Sequence, residues 1–289
     1  VNLGRTVNTK FWDSQPSISP DGKTLYFSSK RPGGFGKEDI WMTSMDSNGN
    51  FTAPVNIGAV INTSGAEQSP FIHPDNQTLY FASDGHPGMG SGDIFMSRKD
   101  SAGNWSEPVN LGYPINTRKE EGSLMVNATG DKAYIAAERQ GGFGGLDIYA
   151  FELYEKARPT PVIYLAGRVL DTETNQPLEA DIEILDLKTG KTIVKSKSNK
   201  ENGKYFVVAP VKKDYALNIA KSGYLFFSEN LALAEADENT VSFEQDVYLP
   251  PVKNGAKVIM NNIFFAFDSY ELLPESKAEL TKLLIFIRK

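Results

Sequence analysis

The chain writes one pattern three times at a fixed spacing. VNLG at Val1 returns as VNIG at Val55 and as VNLG at Val109, a step of 54 residues each time. The same step joins Asn8-Thr9 to Asn62-Thr63 and Asn116-Thr117, and EDIW at Glu38 to GDIF at Gly92 and LDIY at Leu146. An ungapped period held at both ends of every copy marks a repeat architecture, in which a unit buries its faces only by stacking on a neighbour.

Each copy reads as strands. SPDGKTLYFSS and HPDNQTLYFAS place the β-rich runs Thr24–Ser29 and Thr78–Ser83 behind turn residues, and ATGDKAYIAAE is a worn third version. A glycine-rich loop follows, then a strand beginning at Asp39, Asp93 or Asp147. A DSNGNF or DSAGNW turn then leads into a short strand predicted to end at Pro54 or Pro108. With the segment around Gln15–Ser19, each copy carries about four short strands, and no stretch has helical periodicity. Four antiparallel strands per repeat make the blade of a β-propeller. SPDGKTLYFSSKRPGGFGKEDIW resembles the repeat of TolB-type propellers, in the version common among outer-membrane-associated proteins of the Bacteroidota. Closed propellers carry about 4–8 blades. The three over residues 1–156 therefore predict an incomplete propeller, with further blades upstream or another means of closure.

Pro159 and Pro161 interrupt any continuing strand, and the repeat register ends there. Residues 161–250 alternate apolar and polar, with Ala180, Ile182 and Ile184 on one face. Turns are marked by Asn175-Gln176-Pro177, Gly190 and Asn202-Gly203. Such spacing predicts a small β-sandwich. GRVLDTETNQPLEADIEI and GKYFVVAPVKKDYALNIAKSGYLFFSE resemble the carboxypeptidase-regulatory-like, transthyretin-like sandwich, which accompanies other domains and carries no chemistry of its own.

Residues 256–289 change character again. Ile263–Phe267 reads as a strand and Pro274 as a helix start; Leu280, Leu283, Leu284 and Ile287 then form an apolar stripe. NNIFFAFDSYELLPES resembles the opening strand and helix of the α/β OmpA C-terminal domain, with Ala266 in the slot of the family's usual Asp and Asp268 keeping the next acidic position. The resemblance implies peptidoglycan as partner. The residues with which that family grips peptidoglycan are expected downstream of Lys289, so none is assigned, and the chain is expected to be cut at both ends. Ile285 and Phe286 lie off the stripe, as a covering remainder of the domain would require.

The composition excludes several classes. There is no Cys, which removes disulfides, thiolate metal sites and cysteine nucleophiles. A net charge of -6 without a basic stripe argues against nucleic acid. No apolar run is long enough for a transmembrane helix. Apolar residues make up 40% of the chain, enough to bury real cores.

The candidate chemistry is thin. The loops Arg31–Gly36, His86–Gly92 and Arg139–Gly145 resemble phosphate cradles only in glycine content, because they lead into strands and no Gly-Lys-Ser/Thr follows. Asp39, Asp93 and Asp147 share one repeat slot. They either lock their own glycine-rich turns or ring a channel and hold Ca²⁺; the repeat favours the lock. Trp41, Phe95 and Tyr149 share another slot, as blade core or as a ligand platform. His73 and His86 lack metal-motif spacing and read as surface or turn residues. The acidic stretch at Glu235, Asp237 and Glu238 reads as a solvated loop, and Asp100–Ala102 resembles an O-glycosylation tripeptide of this bacterial group. No catalytic, cofactor-binding or metal-binding residue is assigned, and G-x-S-x-G is absent.

The order of partial propeller, sandwich and OmpA-like opening resembles the multidomain periplasmic OmpA-family lipoproteins of the Bacteroidota. It implies a non-enzymatic, outer-membrane-associated scaffold that ties an envelope complex, the type IX secretion system, to peptidoglycan. A carbohydrate- or peptide-binding propeller and an accessory module of a hydrolase remain alternatives.

Overall fold

The computed structural model describes residues 2–211, 213–234 and 242–288. Glu235, Asp237 and Glu238, expected in a solvated loop, lie outside the described residues. The chain forms two compact units, residues 1–161 and 162–289.

In the first unit a single helical turn, α1 (Gly4–Val7), precedes three antiparallel sheets. The first sheet holds β1 (Asp13–Ile18), β2 (Thr24–Ser29), β3 (Asp39–Ser44) and β4 (Val55–Asn56) in that order. The second repeats it with β5 (Glu67–Ile72), β6 (Thr78–Ser83), β7 (Asp93–Arg98) and β8 (Val109–Asn110). The third has three strands, β9 (Glu121–Val126), β10 (Lys132–Ala137) and β11 (Asp147–Glu152). These are propeller blades, two of four strands and one of three.

The fourth strand differs from expectation. DSNGNF and DSAGNW return through single bridges, Met45 with Phe51 and Lys99 with Trp105. The paired residues then come after the prolines rather than before them, where Val55-Asn56 and Val109-Asn110 lie against Trp41-Met42 and Phe95-Met96. Pro54 and Pro108 have no N–H to give a ladder, so pairing resumes at the next residue.

Stacking explains the burial. Nearly every residue of β2 and β6 is buried, because a neighbour or the N-terminal segment covers each face of the sheet. In β10 burial alternates residue by residue, because one face of the third sheet is uncovered. Between the first two blades lie Tyr26, Ile40, Ile61, Ile72, Leu79, Phe81 and Phe95. Between the second and third lie Tyr80, Ile94, Met96, Leu111, Leu124 and Ile135 among others. Each fully buried side chain of this kind stabilises the stack by about 1.5–3 kcal/mol relative to exposure.

The second unit is a sandwich of two four-stranded sheets. One centres on β12 (Val162–Asp171), flanked by β15 (Lys204–Pro210) and, in parallel, by β18 (Ser242–Glu244) and β19 (Val247–Leu249). The other runs β14 (Thr192–Lys197), β13 (Asp181–Asp186), β16 (Asp214–Ala220), β17 (Phe227–Ala232). Ala180, Ile182 and Ile184 enter its core with Leu165, Val207, Tyr215 and Leu217. Gly167 sits where β12 changes partner from β18 to β19. A Cβ there would lie 1.8 Å from the Gln245 carbonyl oxygen, so only glycine admits this close crossing.

The last helix, α2 (Ser276–Ile287), forms where expected but presents a different face. It docks through polar groups: buried Glu279 accepts a hydrogen bond from Ser228 Oγ, and Lys282 Nζ lies 2.6 Å from Glu183. Phe286 packs edge-on against Phe226, with ring centroids 5.6 Å apart. Leu280, Leu284 and Ile287 of the predicted stripe point outward, the last 70% exposed. The outer face of this sheet carries Glu183 and Ser228, so the groups that complement it on the helix are polar. The strand expected over 263–267 amounts to one bridge, Phe265 with Leu272, because no neighbouring strand offers it a ladder.

A carboxylate hinge closes the sandwich. Tyr224 donates its hydroxyl to Asp171 Oδ2 at 2.7 Å, and the N–H groups of Glu173 and Thr174 point at Oδ1. The Tyr224 bond first, then these N–H groups, hold the Asp171 pKa down to about 2. A depressed carboxylate contributes stability that is present above its ordinary value of about 3.9 and is lost as pH falls through about 2. Tyr224→Phe is therefore expected to move the Asp171 pKa upward in a side-chain carboxyl NMR titration. An unchanged value would show that the hydroxyl is not what holds it.

Candidate functional site

The three aspartates of the repeat slot turn inward on their own loops. The Asp39 carboxylate accepts the N–H groups of Phe35 at 2.5 Å and Gly36 at 3.0 Å, and the Asn56 amide at 2.8 Å. Asp93 accepts from the Met89 N–H and, at 3.4 Å, from Gly90 and Asn110; Asp147 accepts the Phe143 N–H at 2.9 Å. The geometry is a lock on each glycine-rich turn. A Cβ at Gly34 would fall 2.0 Å from Asp39 Oδ2, and one at Gly88 would fall 1.8 Å from Asp93 Oδ2. The loops therefore need glycine for close approach to the carboxylate.

The neighbouring slot is blade interior. Trp41 and Phe95 are buried, and Tyr149, on the third sheet, is half-buried. The six slot residues are spread over three blades, two on each of β3, β7 and β11. Among the described residues no group of three or more His, Asp or Glu side chains could hold a metal ion.

A second set of repeat positions ties the segment that links each blade to the next onto the blade before it. The side-chain oxygen of Asn62 accepts the Ile40 N–H at 2.8 Å while its amide donates to the Ile40 carbonyl at 3.0 Å. Asn116 grips Ile94 of the second blade in the same way, at 2.8 and 2.9 Å. Each of these asparagines also donates to another, Asn56 or Asn110, whose oxygen holds a turn glycine. Asn56 and Asn110 belong to the returning VN step, so the VNLG motif and the Asn-Thr step form one device.

The threonines continue it. Thr9, Thr63 and Thr117 each give their backbone N–H and hydroxyl to an acid four residues on: Asp13, Glu67 and Glu121. In the first and third copies an arginine completes the clamp. Arg31 binds Asp13 and the Val7 carbonyl, and Arg139 binds Glu121 and the Ile115 carbonyl. The second copy has Gly85 in that slot. There the next residue, His86, donates Nε2–H to the Ile61 carbonyl at 2.8 Å and packs edge-on to Phe81 and tilted against Phe95. Burial pushes the Asp13 carboxyl up, but the bonds from Ser29, Arg31 and Thr9 outweigh it and leave its pKa below the ordinary value. These acids share the 54-residue step too; that common register was the signal for them in the sequence.

His73 is not at the surface. It is fully buried, its Nδ1 accepting the Asp75 N–H and its Nε2 donating to the Asn127 carbonyl of the next blade at 3.0 Å. Burial raises the Asp75 pKa, and the contacts with His73 and the N–H bonds of Gln77 and Thr78 more than offset this, giving a net lowering.

One cleft, of about 330 Å³, opens between the first two blades, lined by Met42, Asn56, Val60, Lys99, Asn104 and Trp105. The Lys99 ammonium sits 4.7 Å from the Trp105 ring centre and donates to the Tyr26 hydroxyl at 2.5 Å. Burial lowers the Lys99 pKa and pushes Tyr26 up to about 12. A half-buried ammonium framed by aromatic rings can hold a polar ligand.

Asn62→Ala removes the bonds to both backbone groups of buried Ile40. The expected loss is about 2–4 kcal/mol, since each unsatisfied buried group costs about 1–3 kcal/mol. Denaturant unfolding beside the exposed Asn48→Ala, expected within about 0.5 kcal/mol of the parent, measures it. Equal midpoints for the two variants would remove the latch from the account.

No family model matches the chain, and no curated protein matches it. Among solved structures, TolB from Acinetobacter baumannii aligns at 14% identity over 76% of this chain and 40% of its own, with a TM-score of 0.34. A putative TolB from Agrobacterium tumefaciens aligns at 15% over 72% of this chain and 60% of its own, also at 0.34. A 3-chlorocatechol 1,2-dioxygenase from Rhodococcus opacus aligns at 13% over 32% of this chain and 60% of its own, at 0.23. The chain is similar to these proteins only distantly, spans 40–60% of their length, and likenesses this slight carry no argument about what it does.

Proposed function

We propose that the chain is a non-enzymatic scaffold at the periplasmic face of the outer membrane, possessing blades and sandwich as protein-docking surfaces and tying an envelope complex to peptidoglycan. The observation that carries the reading is where the polar side chains go. The repeat's asparagines, threonines, acids and arginines are bonded to backbone and to one another around each blade, and among the described residues none of these sets converges with a nucleophile or base on a common point. A surface made rigid in this way suits holding partners. The domain order supports the finer reading, because partial propeller, regulatory-like sandwich and OmpA-like opening resemble PorE of the type IX secretion system. Peptidoglycan attachment then belongs to the OmpA-like part, and a lipid anchor to the outer membrane fits the same resemblance.

A second reading rests on the Lys99 cleft. An ammonium set against Trp105 and Tyr26, with Asn56 and Asn104 beside it, favours a propeller that binds a carbohydrate or peptide.

Sedimentation of the native protein with purified peptidoglycan, beside a form ending at Leu249, tests the first reading. The native protein is expected in the pellet and the shortened form in the supernatant. If neither pellets, the anchoring role fails and the cleft becomes the leading site.

A further inference from the structure

The two blade junctions inside the chain are built on the same slots and are filled differently. Where the third blade meets the second, the Tyr80 hydroxyl donates to the Ala157 carbonyl at 2.6 Å. Leu153 and Ala157, both fully buried, pack there in one cluster with Met96 and Leu111. One step of 54 residues back, the slots of Leu153 and Ala157 hold Lys99 and Gly103. At that junction the Lys99 ammonium takes the carbonyl's place on Tyr26, the counterpart of Tyr80, and donates to its hydroxyl at 2.5 Å. The cleft of about 330 Å³ opens among these slots: Lys99 and Gly103 line it with Met42 and Ile57, the counterparts of Met96 and Leu111. Met96 and Leu111 are buried, whereas Met42 and Ile57 are half-buried.

Stacking does not ask for a lysine in this slot, since the other two copies place Met45 and Leu153 there. Among the described residues Lys99 pairs with no carboxylate. Its hydrogen bond goes to the neutral Tyr26 hydroxyl, and the Tyr26 and Trp105 rings lie 5.2 and 4.7 Å from the ammonium. The rings stabilise the charge without neutralising it. An ammonium carries three N–H donors, so donors remain on the cleft wall for what enters. Of the polar neighbours, Asn56 is held by Asp39 and Asn62, and Asn104 by Asp100. The lysine is therefore the group that a ligand's charge meets, and Met42, Ile57, Val60 and Trp105 supply apolar walls around it.

Granted that the cleft is a binding site, as in the second reading above, we propose that it takes the C-terminal end of a peptide. The free carboxylate meets Lys99, and the apolar last side chain lies between Met42, Ile57, Val60 and Trp105. The junction that is already full indicates the occupant. There a segment of polypeptide fills the equivalent slots with a leucine and an alanine side chain, and a backbone carbonyl oxygen sits at the tyrosine. A short peptide end suits a cleft at the small end of the range of ligand sites, about 300–1,000 Å³. With an ammonium standing where the carbonyl stood, the fitting partner is an ionised acceptor, which makes the stronger hydrogen bond. A sugar acid supplies the charge but has no branched apolar group for these walls.

NMR titration of the whole chain reads binding through the Trp105 indole N–H and the Lys99 amide, with N-acetyl-alanyl-leucine, its C-terminal amide and glucuronate as probes. The acid peptide is expected to shift both signals and to bind about 10-fold or more tighter than the amide, as one charge-assisted hydrogen bond gives. Glucuronate is expected to bind more weakly than the acid peptide. Lys99→Met puts the first copy's residue in the slot; it is expected to keep the thermal midpoint and to bring acid and amide to equal affinity. Should that variant fail to fold, the acid-to-amide ratio on the native chain still decides. Equal affinity of acid and amide for the native chain overturns the carboxylate assignment while leaving the cleft a site. An acid preference that survives in folded Lys99→Met overturns the role of Lys99, and tighter binding of glucuronate overturns the peptide. No shift with any of the three probes removes the cleft as a site and the proposal with it.

Discussion

The blade stack depends on an asparagine side chain, in the segment that links one blade to the next, holding a strand of the preceding blade by both its N–H and its carbonyl. Apolar contact between sheets is strong but non-directional, and alone it would let one sheet slide over the next. Asn62 and Asn116 remove that freedom, because a primary amide is the side chain that offers a donor and an acceptor at the spacing of one backbone residue. The bonds lie in buried surroundings, where unmade partners are costly. Direction therefore comes from the latch, and most of the favourable free energy comes from Tyr26, Ile40, Tyr80, Ile94 and the aliphatic side chains facing them.

The same economy of groups shapes what the molecule can do. Carboxylates that could act as acids or bases, Asp13, Glu67 and Glu121, are committed to threonine N–H and hydroxyl groups. Asp39, Asp93 and Asp147 are committed to glycine-rich turns. Both histidines hold carbonyl groups. What the first unit leaves outward includes apolar faces, edges, and a cleft with a framed lysine.

Much of this was legible in the residues, and the limits have physical causes. A step of 54 residues was enough to place the blades, because every blade meets the same neighbour geometry and must solve it with the same side chains. The turn-locking geometry of the aspartates could be anticipated from their position beside glycine-rich loops. The latch was visible as VN and NT motifs, but its meaning was not, since the strand it holds is about 22 residues away in sequence. His73, read as a surface or turn residue, does open its turn but is buried: Ser19, His73 and Asn127 look interchangeable by type, yet the histidine reaches the Asn127 carbonyl in the next blade's turn. At the C-terminal end the leucine stripe pointed to an apolar interface, whereas the sheet under α2 presents Glu183 and Ser228 and so takes the helix by Glu279 and Lys282. Periodicity reports which residues share a face and says nothing about the face opposite.

Amide hydrogen exchange at Ile40 and Ile94 tests the central claim most directly, because their N–H groups are the ones the asparagines hold. The account predicts that both exchange only when the whole first unit unfolds, with the same free energy as the innermost amides of β2 and β6. Exchange of either amide at the rate of the exposed DSNGNF and DSAGNW turns would contradict it, and would mean that the blades stack without the latch.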